Sequence, residues 1–329
     1  MSPRRRSISI ALPVFNGANY LREALDSICT QTFTDFEVLI SDNASTDETP
    51  DICQEYARRD SRIKVKRSEQ FLQQANNVNR AVNLCSAEWV KLFCHDDLME
   101  PDCIGRINEA LEGAPPSVGL IANEESAFFA NGHVEPVPPS EPPYLRNGPA
   151  LLREHLSGSQ DVYLPALTPA TVRKLAWEQV GGFDARFVHF DVFCWIKLLL
   201  EWDYLFVPGT LTRTRIHSDQ VAASARKTLR SLDDQRLFFR EFVAQHGAQL
   251  QLSWRVRKRL ELKFLGTAGA AIAVKALRNE FGAAVGLVLR LPIRWWPLLP
   301  PFVFRSYFRE KRRIRLMVDH VPPTMLFPE

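Results

Sequence analysis

Short apolar runs, rich in branched and aromatic residues, recur through the first hundred positions at 8–14, 36–40, 63–65 and 89–93, and each reads as a buried strand. Between them the apolar residues change period. Residues 20–30 place Leu21, Leu25 and Ile28 on one helical face, and 75–85 read the same way. Ser45-x-x-Glu48 reads as a capping box that opens a helix through Tyr56, and Pro101 suits the first turn of another. This β-α-β-α alternation predicts a mostly parallel sheet covered by helices. Ligands of such sheets sit at the carboxyl ends of the strands. Asp42, Asp96 and Asp97 all fall at predicted strand ends and are expected to meet at one edge.

Beyond residue 135 the pattern loosens. Residues 136–149, rich in proline and polar side chains, read as a surface loop. Residues 171–179 read as strand into helix, Gly181-Gly182-Phe183-Asp184 as a turn, 192–202 as a strongly apolar helix, and 205–207 and 211–216 as two strands. From about residue 226 the signal turns helical and basic, which divides the 329 residues into a domain over 1–225 and a helical extension over 226–329.

Charge sharpens that division. Residues 1–225 hold 21 Lys and Arg against 30 Asp and Glu, whereas 226–329 hold 20 against 8. A basic extension calls for an anionic partner. Arg255, Arg257, Lys258 and Arg259, with Trp295, Trp296, Phe302 and Phe304 further on, suit an anionic membrane surface. Nucleic acid is not expected, because no recognised binding module accompanies the charge. The six cysteines form no CxxC pair and no zinc spacing, so they read as reduced, in a cytoplasmic setting. Arg4–Arg6 precede no long apolar segment, so no signal peptide is expected, and no 18-residue apolar stretch suggests a spanning helix.

The acidic residues are the candidate chemistry. Adjacent carboxylates at a strand end, Asp96 and Asp97, suit a hard divalent cation and a sugar hydroxyl, though Asp is equally at home in turns and caps. Asp42 can accept a hydrogen bond from a ligand or simply shape a turn. Asp191, heading an apolar helix, reads as a cleft carboxylate or a helix-start residue, and His217 as a phosphate or metal contact or an ordinary histidine.

In this order the segments resemble glycosyltransferase family 2, the inverting family with the GT-A fold. The resemblance rests on Ile10-Ala-Leu-Pro-Val-Phe-Asn-Gly17, Ser41-Asp-Asn-Ala-Ser-Thr-Asp47, Trp89-Val-Lys-Leu-Phe-Cys-His-Asp-Asp97 with Pro101-Asp102, Gly181-Gly-Phe-Asp184 with His189-Phe-Asp191, and Thr214-Arg-Ile-His217. It covers roughly residues 7–225. It implies a nucleotide-diphosphate sugar donor (UDP-, GDP- or dTDP-linked), a Mg2+ or Mn2+ ion, and a surface-glycan or lipid-linked acceptor. Carried over by position, Asp42, Pro13 and Phe15 hold the donor's base, with Asn79 facing the donor. Asp96 and Asp97 take ribose and the metal–diphosphate, His217 supports the metal, and Asp191 is the general base. Three departures stand out: Asn43 for a second Asp, Cys94 for the first Asp of Asp-x-Asp, and Phe190 for a Glu. Some family members share the Asn at 43; Cys94 and Phe190 keep open a catalytically inactive scaffold of the same fold. A nucleotidyltransferase would want a Gly-rich, basic phosphate loop, which Phe15-Asn16-Gly17-Ala18 lacks.

Overall fold

The computed structural model describes residues 8–129, 133–134, 143–157, 164–217, 230–257 and 260. The chain divides into two compact units, Met1–Ser224 and Ala225–Glu329. In the first, β1 (Ile8–Val14), α1 (Ala18–Cys29), β2 (Phe36–Asp42), α2 (Thr49–Arg59), β3 (Ile63–Arg67), α3 (Gln74–Leu84), β4 (Trp89–Leu92), β5 (Leu98–Met99) and α4 (Cys103–Gly113) follow one another. Then come β6 (Val118–Phe129), β7 (Tyr144–Arg146), α5 (Gly148–Ser157), β8 (Ala170–Arg173), α6 (Lys174–Gln179), α7 (Phe190–Leu198) and β9 (Asp203–Ile216).

Among the described residues nine strands form one sheet, in the order β3-β2-β1-β4-β8-β6-β9-β5, with β7 beside β9. The first four are parallel, as the alternation predicts. Beyond β4 the sheet is mixed, because β8 runs antiparallel to both of its neighbours. The residues of β1 are almost wholly buried, and Ile10, Leu12, Val38, Ile40 and Trp89 meet Leu21, Leu25 and Ile28 of α1 in one core. Their burial drives the parallel half of the sheet.

Three local expectations need correction. Helix α2 starts at Thr49, not Ser45, and Glu48 makes no side-chain cap. The Ser45 hydroxyl is taken by the Asn16 amide, and Asp47 Oδ1 accepts the Thr49 N–H instead. Part of the presumed loop at 136–149 is strand β7, and its Gly148 already opens α5. The two expected strands at 205–216 are one, β9, kept continuous past Pro208-Gly209 by bulges against β6. Gly209, at φ +94°, supplies the left-handed backbone that this irregularity needs.

The ends of β1 and β2 are flush, Val14 opposite Asp42. From β1 the chain winds outward through β2 and β3, then returns to lay β4 on the other side of β1. The order of winding reverses between β1 and β4, so a crevice opens above their carboxyl ends.

In the second unit α8 (Arg230–His246) sets the rings of Phe238, Phe242 and His246 in a row along one face. No helix of the described residues is long and apolar enough to cross a membrane. Most of the basic and tryptophan-bearing stretch expected to meet a membrane lies outside the described residues.

Glu37 stitches the parallel strands at their amino end. Its carboxylate accepts hydrogen bonds from the Ser9 hydroxyl (2.7 Å), the Ser86 amide and hydroxyl (each 2.7 Å) and the Lys64 ammonium (2.9 Å). Burial raises its pKa, but these donors outweigh burial and hold it at about 2. A depressed carboxyl stabilises the fold above the unfolded-state value and loses that contribution as pH falls. We therefore expect Glu37→Gln to cost about 1–3 kcal/mol at pH 7 in urea titrations. The gap from wild type should close as pH drops from about 4.5 towards about 2.

Candidate active site

A cavity of about 500 Å3 fills the crevice. One side comes from the end of β1, the loop after it and the start of α1 (Pro13 to Tyr20), and another from Cys94-His95-Asp96-Asp97 after β4. Residues 166–168, 188–191 and the end of β9 close the other side. Gly17 lets the first loop come this close: a Cβ there would lie 2.3 Å from His95 Cδ2.

Asp96 and Asp97 are neighbours with different work. The Asp97 carboxylate accepts the Thr168 hydroxyl through Oδ2 and the Arg215 amide (3.0 Å) through Oδ1, and it is buried. Burial and the adjacent Asp96 push its pKa up to about 8. Asp96 is more open and faces His217, with Nε2 3.0 Å from Oδ2. His217 Nδ1 is buried with no hydrogen-bond partner, and its ring lies against Tyr20. Arg215 braces both aspartates: its Nε donates to the Asp96 carbonyl, and its guanidinium lies between the rings of Tyr20 and Phe128. Beneath, the fully buried Lys91 donates to Asn123 Oδ1 (2.8 Å) and the Thr168 carbonyl, and burial lowers its pKa to about 8.

Asp191 lines the cavity from the first turn of α7, not from the residue before that helix. Burial raises its pKa, and Glu125 adds to the rise, against hydrogen bonds that include one from the Val192 amide. His189 and Phe190 flank it.

Two expected donor residues do not reach the cavity lining. Asn79 spends its amide on the Phe183 backbone, donating to the carbonyl (2.8 Å) and accepting from the N–H (2.9 Å), and so fixes the Gly181-Gly182 turn. Asp42 is buried behind Asn43. Its Oδ1 accepts the Ser45 amide, while Oδ2 has no hydrogen bond and faces Arg67 Nε at 3.7 Å. Pro13, Phe15, Asp96, Asp97, Asp191 and His217 do line it. Sequence reasoning missed Tyr20, His95, Thr168 and Phe71. Of these, only Phe71 carries a signal, an aromatic alone among Ser68, Glu69, Gln70, Gln73 and Gln74.

The site was tested for fit to a divalent cation by its donor set. Ligand atoms of Cys94, Asp96 and Asp97 lie within 4.8 Å of one another. Burial holds the Cys94 thiol far above its ordinary pKa, so it stays protonated and is a poor ligand for a hard ion. Asp97 is committed to Thr168 and Arg215. Asp96, with His217 beside it, fits the ion best.

The description "Glycosyl transferase family 2" fits residues 9–158. That match covers under half of the 329 residues. Among curated relatives, glycosyltransferase GlyA of Streptococcus pneumoniae is 36% identical over 98 residues, 30% of this chain and 14% of its own. The putative glycosyltransferase EpsH of Bacillus subtilis is 34% identical over 97 residues, 29% of this chain and 28% of its own. The uncharacterized glycosyltransferase RT0329 of Rickettsia typhi is 23% identical over 68% of both chains. The chain thus spans about a third or less of the first curated relatives it matches. The fold is that of Staphylococcus aureus TarS 1-349 in complex with UDP-GlcNAc (TM-score 0.63, 18% identity, 94% of this chain and 92% of that one). It is shared by the Pyrobaculum calidifontis mannosyltransferase PcManGT in complex with GDP-Man and Mn2+ (TM-score 0.56, 19% identity, 94% and 88%). The expected GT-A fold is therefore present.

The two aspartates should separate by stability. Asp97→Ala strands the Thr168 hydroxyl and the Arg215 amide and is expected to cost about 2–4 kcal/mol in denaturant titrations. Asp96→Ala should cost under about 1 kcal/mol.

Proposed function

We propose that this protein transfers a sugar from a nucleoside-diphosphate sugar to a hydroxyl of a glycan or lipid-linked acceptor, with inversion and with the help of a divalent cation. The observation that carries the reading is the charge of the cavity. Its described lining holds Asp96, Asp97, Asp191, His95, His189 and His217, and no lysine or arginine. A diphosphate entering beside Asp96, with no lysine or arginine in that lining to meet it, needs a compensating cation.

Asp96 would hold that cation, with His217 orienting the carboxylate. When bound, the ion neutralises the charge that develops on the leaving diphosphate. Pro13 and Phe15 would seat the base. Asp42 would act from behind Asn43, by shaping the turn that presents it. Asp191 would accept the proton of the acceptor hydroxyl as its oxygen attacks the anomeric carbon and the bond to the diphosphate breaks. It is the one lining carboxylate outside the Asp96–Asp97 pair, and its raised pKa brings it closer to the working pH of a general base. A single displacement by one base inverts the anomeric centre.

The cysteines support a cytoplasmic setting, since all six are free. The excess of 20 basic over 8 acidic residues in 226–329 supports contact with an anionic membrane leaflet, where a lipid-linked acceptor would lie. The relatives point the same way. One is named GalNAc(5)-diNAcBac-PP-undecaprenol beta-1,3-glucosyltransferase, from Campylobacter jejuni. The scaffold alternative draws on Cys94 and Phe190; that Asp96, His217 and Asp191 all line the cavity supports the enzyme reading instead.

Asp191→Asn should lower kcat by about 10²–10⁴ in a donor-hydrolysis or transfer assay while donor KM changes little. The raised pKa should place the acid limb of the wild-type kcat/KM profile above the ordinary carboxylate range. An Asp191→Asn enzyme of full activity would remove Asp191 from the mechanism.

A further inference from the structure

Among the described residues Phe15 and Phe71 are the two exposed phenylalanines, at 41% and 61%. They stand together at the cavity, with ring centroids 4.8 Å apart and planes at 63°. Two large apolar rings left exposed side by side in the cavity lining offer a flat ligand a surface to stack on. Phe71 sits outside the buried core, in the loop between β3 and α3.

That loop is nevertheless held firmly. The side-chain amide of Asn43 donates to the Leu72 carbonyl (2.9 Å) and accepts from the Leu72 N–H (2.8 Å). Both bonds need an amide: an aspartate could accept from the N–H but has no proton for the carbonyl. Asn43 follows β2 directly, and its own N–H donates to the Val14 carbonyl of β1. The residue that departs from the usual second Asp of the resemblance thus fixes Leu72, and with it Phe71, to the edge of the sheet beside Phe15.

We propose that Phe71 is a second stacking residue for the donor's base, positioned by Asn43. This rests on the reading that the Pro13–Phe15 end of the cavity receives the base. The rings are too close for a base to enter between them, since a sandwich needs about 7 Å, two stacking separations of about 3.5 Å. They form a corner: a planar heterocycle laid on one ring is met edge-on by the other. Base–aromatic stacking tolerates either base class, so the corner adds affinity for the nucleoside without a hydrogen-bond code.

The test measures affinity of wild type, Phe71→Ala and Asn43→Asp for UDP, GDP, dTDP and inorganic pyrophosphate, each with Mn2+, alongside donor kcat and KM. Phe71 is exposed, so Phe71→Ala should melt within about 2 °C of wild type. We expect both variants to bind the preferred nucleoside diphosphate about tenfold more weakly, the equivalent of about 1.4 kcal/mol. Pyrophosphate affinity should hold, and donor KM should rise while kcat stays within about twofold. Equal nucleotide affinity in wild type and Phe71→Ala overturns the inference and leaves the proposed function standing. A parallel loss for pyrophosphate overturns it too, because the effect would then not lie at the base. A wild type that binds none of the three nucleotides overturns the proposed function together with this inference.

Discussion

One buried carboxyl group organises the site. Asp97 joins the end of β4 to Thr168, which precedes β8, and to the backbone of Arg215 near the end of β9. Thr168 and Arg215 lie 71 and 118 residues from Asp97 in sequence. Brought together, they set Asp96 and His217 face to face and form the far wall of the cavity. Lys91 supports the same wall from below by holding the Thr168 carbonyl. A charged lysine buried this deeply is costly unless its donors are met, and Asn123 and Thr168 meet two of the three.

The electrostatics of the cavity follow from that frame. Asp97 is held by Thr168 and Arg215, which leaves Asp96 as the more open carboxylate of the pair. Cys94, where the resemblance has an aspartate, adds no further carboxylate beside Asp96 and Asp97. Its thiol, held protonated by burial, leaves Asp96 and His217 as the polar pair that an incoming diphosphate and its counter-ion would meet. Asp191 lines the same cavity from the first turn of α7, where burial raises its pKa, as suits the proton-accepting role proposed for it.

The parallel half of the fold was legible because buried parallel strands are continuous apolar runs, and β1, β2 and β4 are such runs. The second half was harder. Tyr144-Leu145-Arg146 pairs with β9 although its neighbourhood is dense in proline, and Pro208-Gly209 looks like a break but is absorbed by bulges. Asp96, Asp191 and His217 were legible as a set, from their order and strand context. Their division of labour was not, since nothing in Asp-Asp says which carboxylate will find Thr168. Asn79 and Asp42 mark the same limit. Each is polar and near a strand end, but the Phe183 backbone claims one and the Ser45 turn the other.

The central claim is that a nucleoside diphosphate binds this acidic cavity through a cation held by Asp96. Calorimetric titration of UDP and GDP into wild type and Asp96→Ala, in Mn2+ and in EDTA, tests it most directly. The account predicts affinity at least about tenfold tighter in Mn2+ for wild type and a loss of that gain in Asp96→Ala. Equal affinity in EDTA, or a metal gain unchanged by Asp96→Ala, would contradict it.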